Sequence, residues 1–535
     1  MNSARQHIDN GDISIGIEFG STRIKAVLID LNGHILATGG FNWENQHIDG
    51  IWTYSQEAIW QGLQNAYQAL SKEVQTKYHC TIRQAKAIGI SGMMHGYIPF
   101  NQSGQQLVPF RTWRNNITEQ AAHILTQQFS YNIPQRWSIA HLYQAILNRE
   151  SHVAQIDYLT TLAGYIHWQL TGEKVMGIGE ASGMFPIDIA QQDYNAQMLA
   201  NFDKLVESYS FPWKIAHILP KVLVAGEFAG RLTEVGARLL DPSGELQAGI
   251  SFCPPEGDAG TGMVATHSIK ERTGNISAGT SAFAMIVLEK ELSKVYEQLD
   301  MVTTPAGKLV AMAHANNCTT DINAWINLFS ECLTSFGVKH SIDQVYEILF
   351  SKALEGDPDC GSLVPYGFYS GEHNLGLADG CPLLIHPTGS QFNLANLIRS
   401  HLYSAFGAMK LGMDILMQQE QVNIDQIFAH GGIFKTKGVA AKVLASALNV
   451  PIAIMDTASE GGAWGMALLA NYLAHKESYS LEQYLNCIFQ QSAIQLSQPD
   501  SLMVEGYQKF IVNYQHGIPV VAKAVEMQKM LNSSL

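Results

Sequence analysis

Apolar positions open the chain as a meander. After about a dozen polar residues, Ile13 to Phe19 reads ISIGIEF, a short apolar strand. Gly20-Ser21-Thr22 makes a tight turn, and Ile24 to Asp30 (IKAVLID) returns as a second strand. Asn32-Gly33 is a strong hairpin signal, and His34 to Thr38 makes a third strand. A helical stretch is predicted over Ser55 to Leu70, then a buried strand over Ala87 to Ser91. From Asn116 to about Pro220 the pattern is mainly helical, with Trp113, Trp137, Trp168 and Trp213 as expected packing anchors.

The opening device then recurs. A short strand near Gly249 to Phe252 leads into Pro254-Pro255-Glu256-Gly257-Asp258. Next, GNISA (Gly274 to Ala278) is strand-like, Gly279-Thr280-Ser281 turns, and AFAMIVL (Ala282 to Leu288) forms a second strand. Two halves that each begin strand, small-residue turn, strand suggest a duplicated α/β unit with the turns facing one cleft. Hairpins with small turn residues are common, so coincidence is the alternative. The expected boundary lies near residues 265 to 272. Further on, Asp425 to His430 is a strand ending at Gly431-Gly432, Gly438 to Asn449 a helix, and Val450 to Met455 a strand. Thr457-Ala458-Ser459-Glu460 fits a capping box opening a helix from Gly461 to Ala474. Strand and helix alternate here as an α/β fold requires. Leu481 to Phe489 and Gln508 to Leu531 carry helical patterns without legible chemistry.

Composition narrows the function. A chain of 535 residues exceeds one ordinary core, so two domains with a cleft are expected. The formal charge of −14 argues against nucleic acid or an anionic membrane as partner. Phosphorylated small molecules stay open, because backbone amides hold phosphate locally. The seven cysteines lack CxxC pairs and short histidine spacings, which speaks against a disulfide framework or a zinc site. The opening MNSARQHIDNGD has no signal-peptide core, and no charge-poor apolar run reaches the roughly 18 to 20 residues of a membrane span. A cytoplasmic location is the expectation.

Phosphoryl transfer asks for small-residue turns with exposed N–H groups, a carboxylate near magnesium, and a carboxylate beside the attacking hydroxyl. Glu18-Phe19-Gly20-Ser21-Thr22-Arg23 offers the first turn, with Glu18 placed to hold a magnesium-bound water; an ordinary hairpin with an exposed acid is the other reading. Gly279-Thr280-Ser281 offers the second turn on the same terms. Asp258, where a strand ends and flexible backbone begins, suits a general base; a turn or capping aspartate is the alternative. Ser91-Gly92-Met93-Met94-His95-Gly96 and Arg111-Thr112-Trp113-Arg114-Asn115-Asn116 combine polar heads with apolar surface, as a polyol site would. Taken alone, such a histidine is more often structural and such a tryptophan more often core. Gly431-Gly432 admits a flat base against bare backbone, or simply connects strand to helix.

Taken in this order, these segments resemble the FGGY carbohydrate kinases, the family of xylulose, ribulose, glycerol and gluconate kinases. The resemblance runs from about Ile13 to Ala474. IGIEFGSTRIKAVLID is similar to the family's first phosphate motif, and SGMMHG to the substrate strand of the xylulose-kinase branch. EGDAGTG resembles the catalytic-aspartate motif, SAGTS the second phosphate motif and AHGGIFKTKG the adenosine motif. Ser459-Glu460-Gly461-Gly462-Ala463 matches the small-residue helix start that usually comes after it. The resemblance implies an α/β chain of two ribonuclease-H-like domains of the actin type with a catalytic cleft between them. A polar tail (1–12) would precede a sugar-binding domain (13–267), an ATP-binding domain (268–475) and a helical extension (476–535) that packs on the second domain or makes a homodimer contact. It further implies Asp258 as base; Gly20, Ser21, Thr22, Arg23, Gly279, Thr280 and Ser281 around phosphate; and Gly431, Gly432 and Lys435 along the nucleotide. Met94, His95, Trp113, Arg114, Asn115 and Asp258 would line the sugar, and Mg²⁺ would accompany ATP through waters on Glu18 and Asp258.

Three departures stand out. Glu18 replaces the family's usual aspartate. The usual Trp-Asn-Asp-x-Arg segment reads Trp113-Arg114-Asn115-Asn116-Ile117, which removes an acid and an arginine and adds Arg114. Ser370-Gly371-Glu372-His373 begins the family's SGE segment, and the residues after it diverge. A ketopentose or ketohexose is the expected acceptor, with an acidic or phosphorylated sugar the option Arg114 leaves open. A catalytically degenerate sugar-binding regulator and an actin-like switch ATPase are the competing functions.

Overall fold

The computed structural model describes residues 2–455, 461–490 and 492–533. The chain forms two compact units: residues 1–270, 300–310 and 457–491, and residues 271–299, 311–456 and 492–535. The units are therefore discontinuous, where the sequence pattern suggested contiguous segments. The helix Gly461–Tyr472, read as part of the second domain, groups with the first. Residues 476–535 divide between both units: Leu481–Phe489 joins the first, while the strand Ile494–Ser497 and the helix Ser501–Ser533 join the second.

In the first unit, strands run side by side in the order Ser251–Phe252, Ala87–Gly92, Ile13–Phe19, Arg23–Asp30, Ile35–Asn42, and Glu256–Gly257 also pairs with Ala87–Gly92. The near-continuous apolar run ISIGIEF fits a central strand covered on both faces. The covering elements can be derived from register. Gly16 lies in a row with Val27 and Thr38, whereas Gly39 lies in a row with Ala26 and Ile17. Side chains alternate along a strand, so the two glycines mark opposite faces. On one, the helix Gln56–Tyr78 rests its backbone at Ala66 and Leu70 on Gly39; on the other, the helix Gly461–Tyr472 rests Ala463 and Ala467 on Gly16. A side chain at either glycine would collide with helix backbone.

Ser55 caps the first of these helices by accepting from the Ala58 amide at 3.1 Å. The helix passes its predicted end at Leu70 and stops at His79 in the left-handed region. Lys72, Glu73, Gln75 and Lys77 after Leu70 are good helix formers, although only Val74 in this stretch is buried. The third strand extends to Asn42, beyond the predicted Thr38. The polar opening read as a tail is a helix, Asn2–Asn10, anchored by buried Ile8. The predicted helical interval contains Glu119–Phe129, Ser138–Leu147, Leu162–Thr171 and Ala196–Leu205, interleaved with short strands. Trp137 and Trp213 are buried as expected, but Trp113 is 38% exposed and is no packing anchor.

The second unit repeats the plan. Its strands include, in order, Leu309–Ala315 (in this unit from Ala311 on), Ala282–Val287, Thr273–Ala278, Gln426–His430, Ile452–Met455 and Ile494–Ser497. As in the first unit, the opening strand is antiparallel to its successor and parallel to a later one. The helix Val439–Leu448 is buried at every position but Lys442 and runs between Gly438 and Asn449, both left-handed. Tyr507 and Tyr514 of the C-terminal helix are buried in this unit, and Tyr366 donates its hydroxyl to the Tyr514 carbonyl at 2.8 Å. The capping box Thr457-Ala458-Ser459-Glu460 lies outside the described residues. No helix among the described residues is long and apolar enough to cross a membrane.

Candidate active site

The first turn is held by its carbonyls. Phe19 pairs with Ile24, and the Gly20 amide donates to the Arg23 carbonyl at 3.0 Å. The Trp43 indole N–H donates to the Gly20 carbonyl at 2.7 Å, the Tyr54 hydroxyl to the Ser21 carbonyl at 2.6 Å, and the Trp43 amide to the Thr22 carbonyl at 3.1 Å. Trp43 and Tyr54 stack with ring centroids 4.0 Å apart. Every carbonyl of Gly20-Ser21-Thr22 is thus bonded back into the protein, which suits a turn whose N–H and hydroxyl groups serve an anion. Arg23 does not join them: its guanidinium lies across Gly40 of the neighbouring strand.

Two acids of the first unit sit close enough to feel each other. Asp258 opens the helix Asp258–Ala265, and its Oδ1 accepts from the Met94 amide at 3.1 Å and the Ala259 amide at 2.9 Å. Burial raises its pKa to about 6 against these donors. Glu18, at the end of the first strand, is pushed up to about 7 by burial and then by the Asp258 charge, with Lys25 and the Ala463 amide opposing. A side chain on Gly462 would land on Glu18 Oε1 and 2.7 Å from Thr261 Oγ1. The small-residue start of the helix Gly461–Tyr472 therefore makes the room that Glu18 occupies.

SGMMHG contributes backbone and packing. His95 and Gly96 take left-handed conformations, φ +72° and +104°, and Ser138 donates to the Gly96 carbonyl at 2.6 Å. The bend turns the Met94 amide to Asp258. The His95 side chain is buried, with Nδ1 3.3 Å from the Gly183 carbonyl and its ring stacked on Trp137. Met94 is also buried.

The Trp113 segment divides by role. Asn115 is consumed by backbone: its Oδ1 accepts from the Trp52 amide and its Nδ2 donates to the Trp52 carbonyl, both at 2.8 Å, with Thr112 also bonded. It fixes the loop and has no spare donor to offer a sugar. Arg114 lies over the Trp52 ring, 3.9 Å from the centroid, and is exposed beside exposed Trp113.

In the second unit the turn Gly279-Thr280-Ser281 obeys the same logic. Gly279 donates to the Ser281 carbonyl at 2.9 Å. The Gly279 carbonyl accepts from the Thr319 amide at 3.1 Å and hydroxyl at 2.8 Å, and the Thr280 carbonyl accepts from the Cys318 amide at 2.9 Å. Glu372 of the SGE segment is buried and accepts from the Asn316 and Asn317 amides at 2.9 and 3.2 Å, directly before Cys318. It braces the segment that braces the turn. Gly431, φ +126°, leaves no room for a Cβ against the Ala278 carbonyl, so the Gly431-Gly432 end is brought against the second turn. Gly432 has open space, and Lys435 is exposed. Trp43, Tyr54 and Thr319 are the participants the sequence pattern did not single out.

Comparison with known proteins identifies the family. Residues 13–241 match the N-terminal domain of the FGGY family of carbohydrate kinases, and residues 274–474 match its C-terminal domain. A xylulose kinase of Klebsiella pneumoniae is 23% identical over 414 residues, covering 75% of this chain and 78% of its own. One from Haemophilus influenzae is 21% identical over 467 residues, covering 84% and 89%. The crystal structure of a ligand-bound xylulose kinase from Lactobacillus acidophilus shares the fold, with a TM-score of 0.77 at 16% identity over 95% of this chain and 98% of that one. With both family domains matched across most of its length, the chain belongs to the FGGY family of carbohydrate kinases and is an ATP-dependent kinase of a small sugar-like molecule.

Proposed function

We propose that the acceptor is a ketopentose or ketohexose and that Asp258 is the general base. The observation that carries this reading is the bond from Met94 of SGMMHG to Asp258 Oδ1. It ties the segment that resembles a xylulose-kinase substrate strand to the carboxylate. Because the Met94 and Ala259 amides both occupy Oδ1, Oδ2 is the oxygen to receive the hydroxyl proton. As that proton moves, the sugar oxygen forms a bond to the γ-phosphorus, the bond from that phosphorus to the bridging oxygen breaks, and ADP leaves.

The turns Gly20-Ser21-Thr22 and Gly279-Thr280-Ser281 bind phosphate oxygens, and Gly431, Gly432 and Lys435 line the nucleotide. Trp113 offers an exposed face for the sugar's apolar side, and Met94 shapes the floor through its backbone. Glu18 and Asp258 fit a magnesium ion held through water: two neighbouring carboxylates, one raised by burial and then by the other's charge, gain from a cation. The ion would neutralise phosphate charge when bound.

The test is ADP release from ATP and Mg²⁺ against ketopentoses, ketohexoses, polyols, sugar acids and sugar phosphates, with Asp258→Ala as control. A response to one or two ketoses that vanishes in the variant supports the reading. Turnover confined to acidic or phosphorylated sugars and lost in Arg114→Ala would replace the neutral ketose. A rate independent of any sugar would overturn the kinase assignment altogether.

A further inference from the structure

Asp258 is held through its backbone as well as through Oδ1. The dipeptide before it, Glu256-Gly257, pairs in parallel with Ser91-Gly92 on one flank. On the other lies the segment Gly177–Glu180. The Gly177 amide donates to the Pro255 carbonyl at 2.8 Å. The Glu256 carboxylate accepts from the Gly179 amide at 3.3 Å and the Glu180 amide at 2.9 Å. Its oxygens fill the space where side chains on Gly177 and Gly179 would stand. The contact is reciprocal: a Cβ on Gly257 would land on Oε2 of Glu180. Each segment therefore supplies a carboxyl that occupies the other's glycine gap.

Both acids are buried, and among the described residues neither oxygen of Glu180 has a hydrogen-bond partner of good geometry. A buried carboxyl with so little compensation is costly. Burial holds the Glu180 carboxyl well above the ordinary range, and the charges of Asp258 and Glu256 add to it while Thr161 and the His95 backbone oppose. Glu180 is fully shielded from solvent whereas Asp258 is partly open, so Glu180 acts through the backbone at Gly257 and not on the sugar.

We propose that Glu256 and Glu180 are positioning residues that set where the Asp258 carboxylate stands. This rests on reading Asp258 as the base. The displacement needed to matter is small, since about 1 Å at a reacting group costs about a hundredfold in rate.

The experiment measures kcat and both KM values by ADP release with ATP and xylulose, or whichever ketose is turned over faster. The variants are Gly257→Ala, Glu180→Ala, their double, Glu256→Gln and Asp258→Ala, each checked by thermal melting. Gly257→Ala should lose about a hundredfold in kcat with both KM values within about twofold, and adding Glu180→Ala should recover at least about tenfold of it. Glu256→Gln should lose about tenfold in kcat. A double variant no faster than Gly257→Ala would overturn the bracket, as would a full-rate Glu256→Gln, which also decides the matter if the Gly257 variants do not fold. Wild-type turnover in Asp258→Ala would instead remove the base assignment. An inactive Asp258→Ala beside full-rate bracket variants would remove the bracket alone.

Discussion

Tyr54 donates its hydroxyl to the Ser21 carbonyl at 2.6 Å, across more than thirty residues of sequence. With Trp43 it holds all three carbonyls of the first turn, so the amides of that turn are oriented before any ligand arrives. Tyr54→Phe removes one bond and keeps the ring stack on Trp43. A net hydrogen bond is worth about 0.5 to 1.5 kcal/mol. We expect kcat/KM for ATP to fall about five- to tenfold while the sugar KM holds. Steady-state kinetics with each substrate varied checks this, and an unchanged ATP dependence would count against the clamp.

Gly462 and Glu18 share one space, and the helix start is built from small residues for that reason. Gly462→Ala places a methyl on Glu18 Oε1, and the carboxylate has to move. The expected result is a fall of about tenfold or more in turnover and a higher Mg²⁺ requirement, because the displaced group is the one proposed to hold the ion's water. Glu18→Gln should raise the Mg²⁺ requirement without disturbing the fold. A magnesium titration of both variants, with chelator as the zero point, distinguishes these outcomes from simple destabilisation.

The parts legible in the sequence were those with local causes. ISIGIEF followed by Gly20 and a returning strand could hardly be anything but a hairpin, and its echo at Gly274 to Leu288 is the second unit's hairpin. The parts that escaped depend on distant partners. Nothing near Tyr54 in sequence points to Ser21, and nothing near Glu256 points to Gly179. Asn115 carries the residue type of a sugar site, yet its side chain is taken up by the Trp52 backbone. Trp113 erred the other way: its size suggested core, and it faces solvent. Residue type reveals what a side chain can do, while its direction is set by the bends around it, such as the left-handed pair His95-Gly96.

Arg136 forms an ion pair with Asp300, which also accepts from Asn132 Nδ2 at 3.3 Å. The Arg136 carbonyl in turn accepts from the Gly96 amide, so this pair supports the SGMMHG bend. Burial lowers the Arg136 pKa to about 10, the mark of a cation with little water around it. Removing one member of a buried pair strands the other and costs about 3 to 5 kcal/mol, and with the Arg136 side chain 23% exposed the lower end of that range applies. Asp300→Ala should therefore lower the unfolding free energy by an amount in that range, read from urea unfolding. A loss under about 1 kcal/mol would show the pair to be well hydrated.

The buried histidines give the first unit a defined acid weakness. His141 is fully buried with neither ring nitrogen hydrogen-bonded among the described residues, and burial lowers its pKa to about 3. His167, which donates to the Ala229 carbonyl at 2.8 Å, is lowered to about 4 for the same reason. An unfolded histidine binds its proton near pH 6.5. Between that pH and the folded values the unfolded chain holds more protons, so stability rises with pH and is lost as pH falls from about 6.5 toward 4. For His167 the shift corresponds to on the order of 3 kcal/mol. The acids around Asp258 work in the opposite sense, since Glu256, raised to about 8, favours the folded state at lower pH and loses that contribution as pH rises. A variant isolates the histidine. His141→Phe removes two unbonded nitrogens, so it should melt at or slightly above the wild-type temperature at pH 7.5 and clearly above it at pH 5. Melting curves that stay parallel from pH 8 to 5 would mean that His141 is already charged, or solvated, in the folded protein.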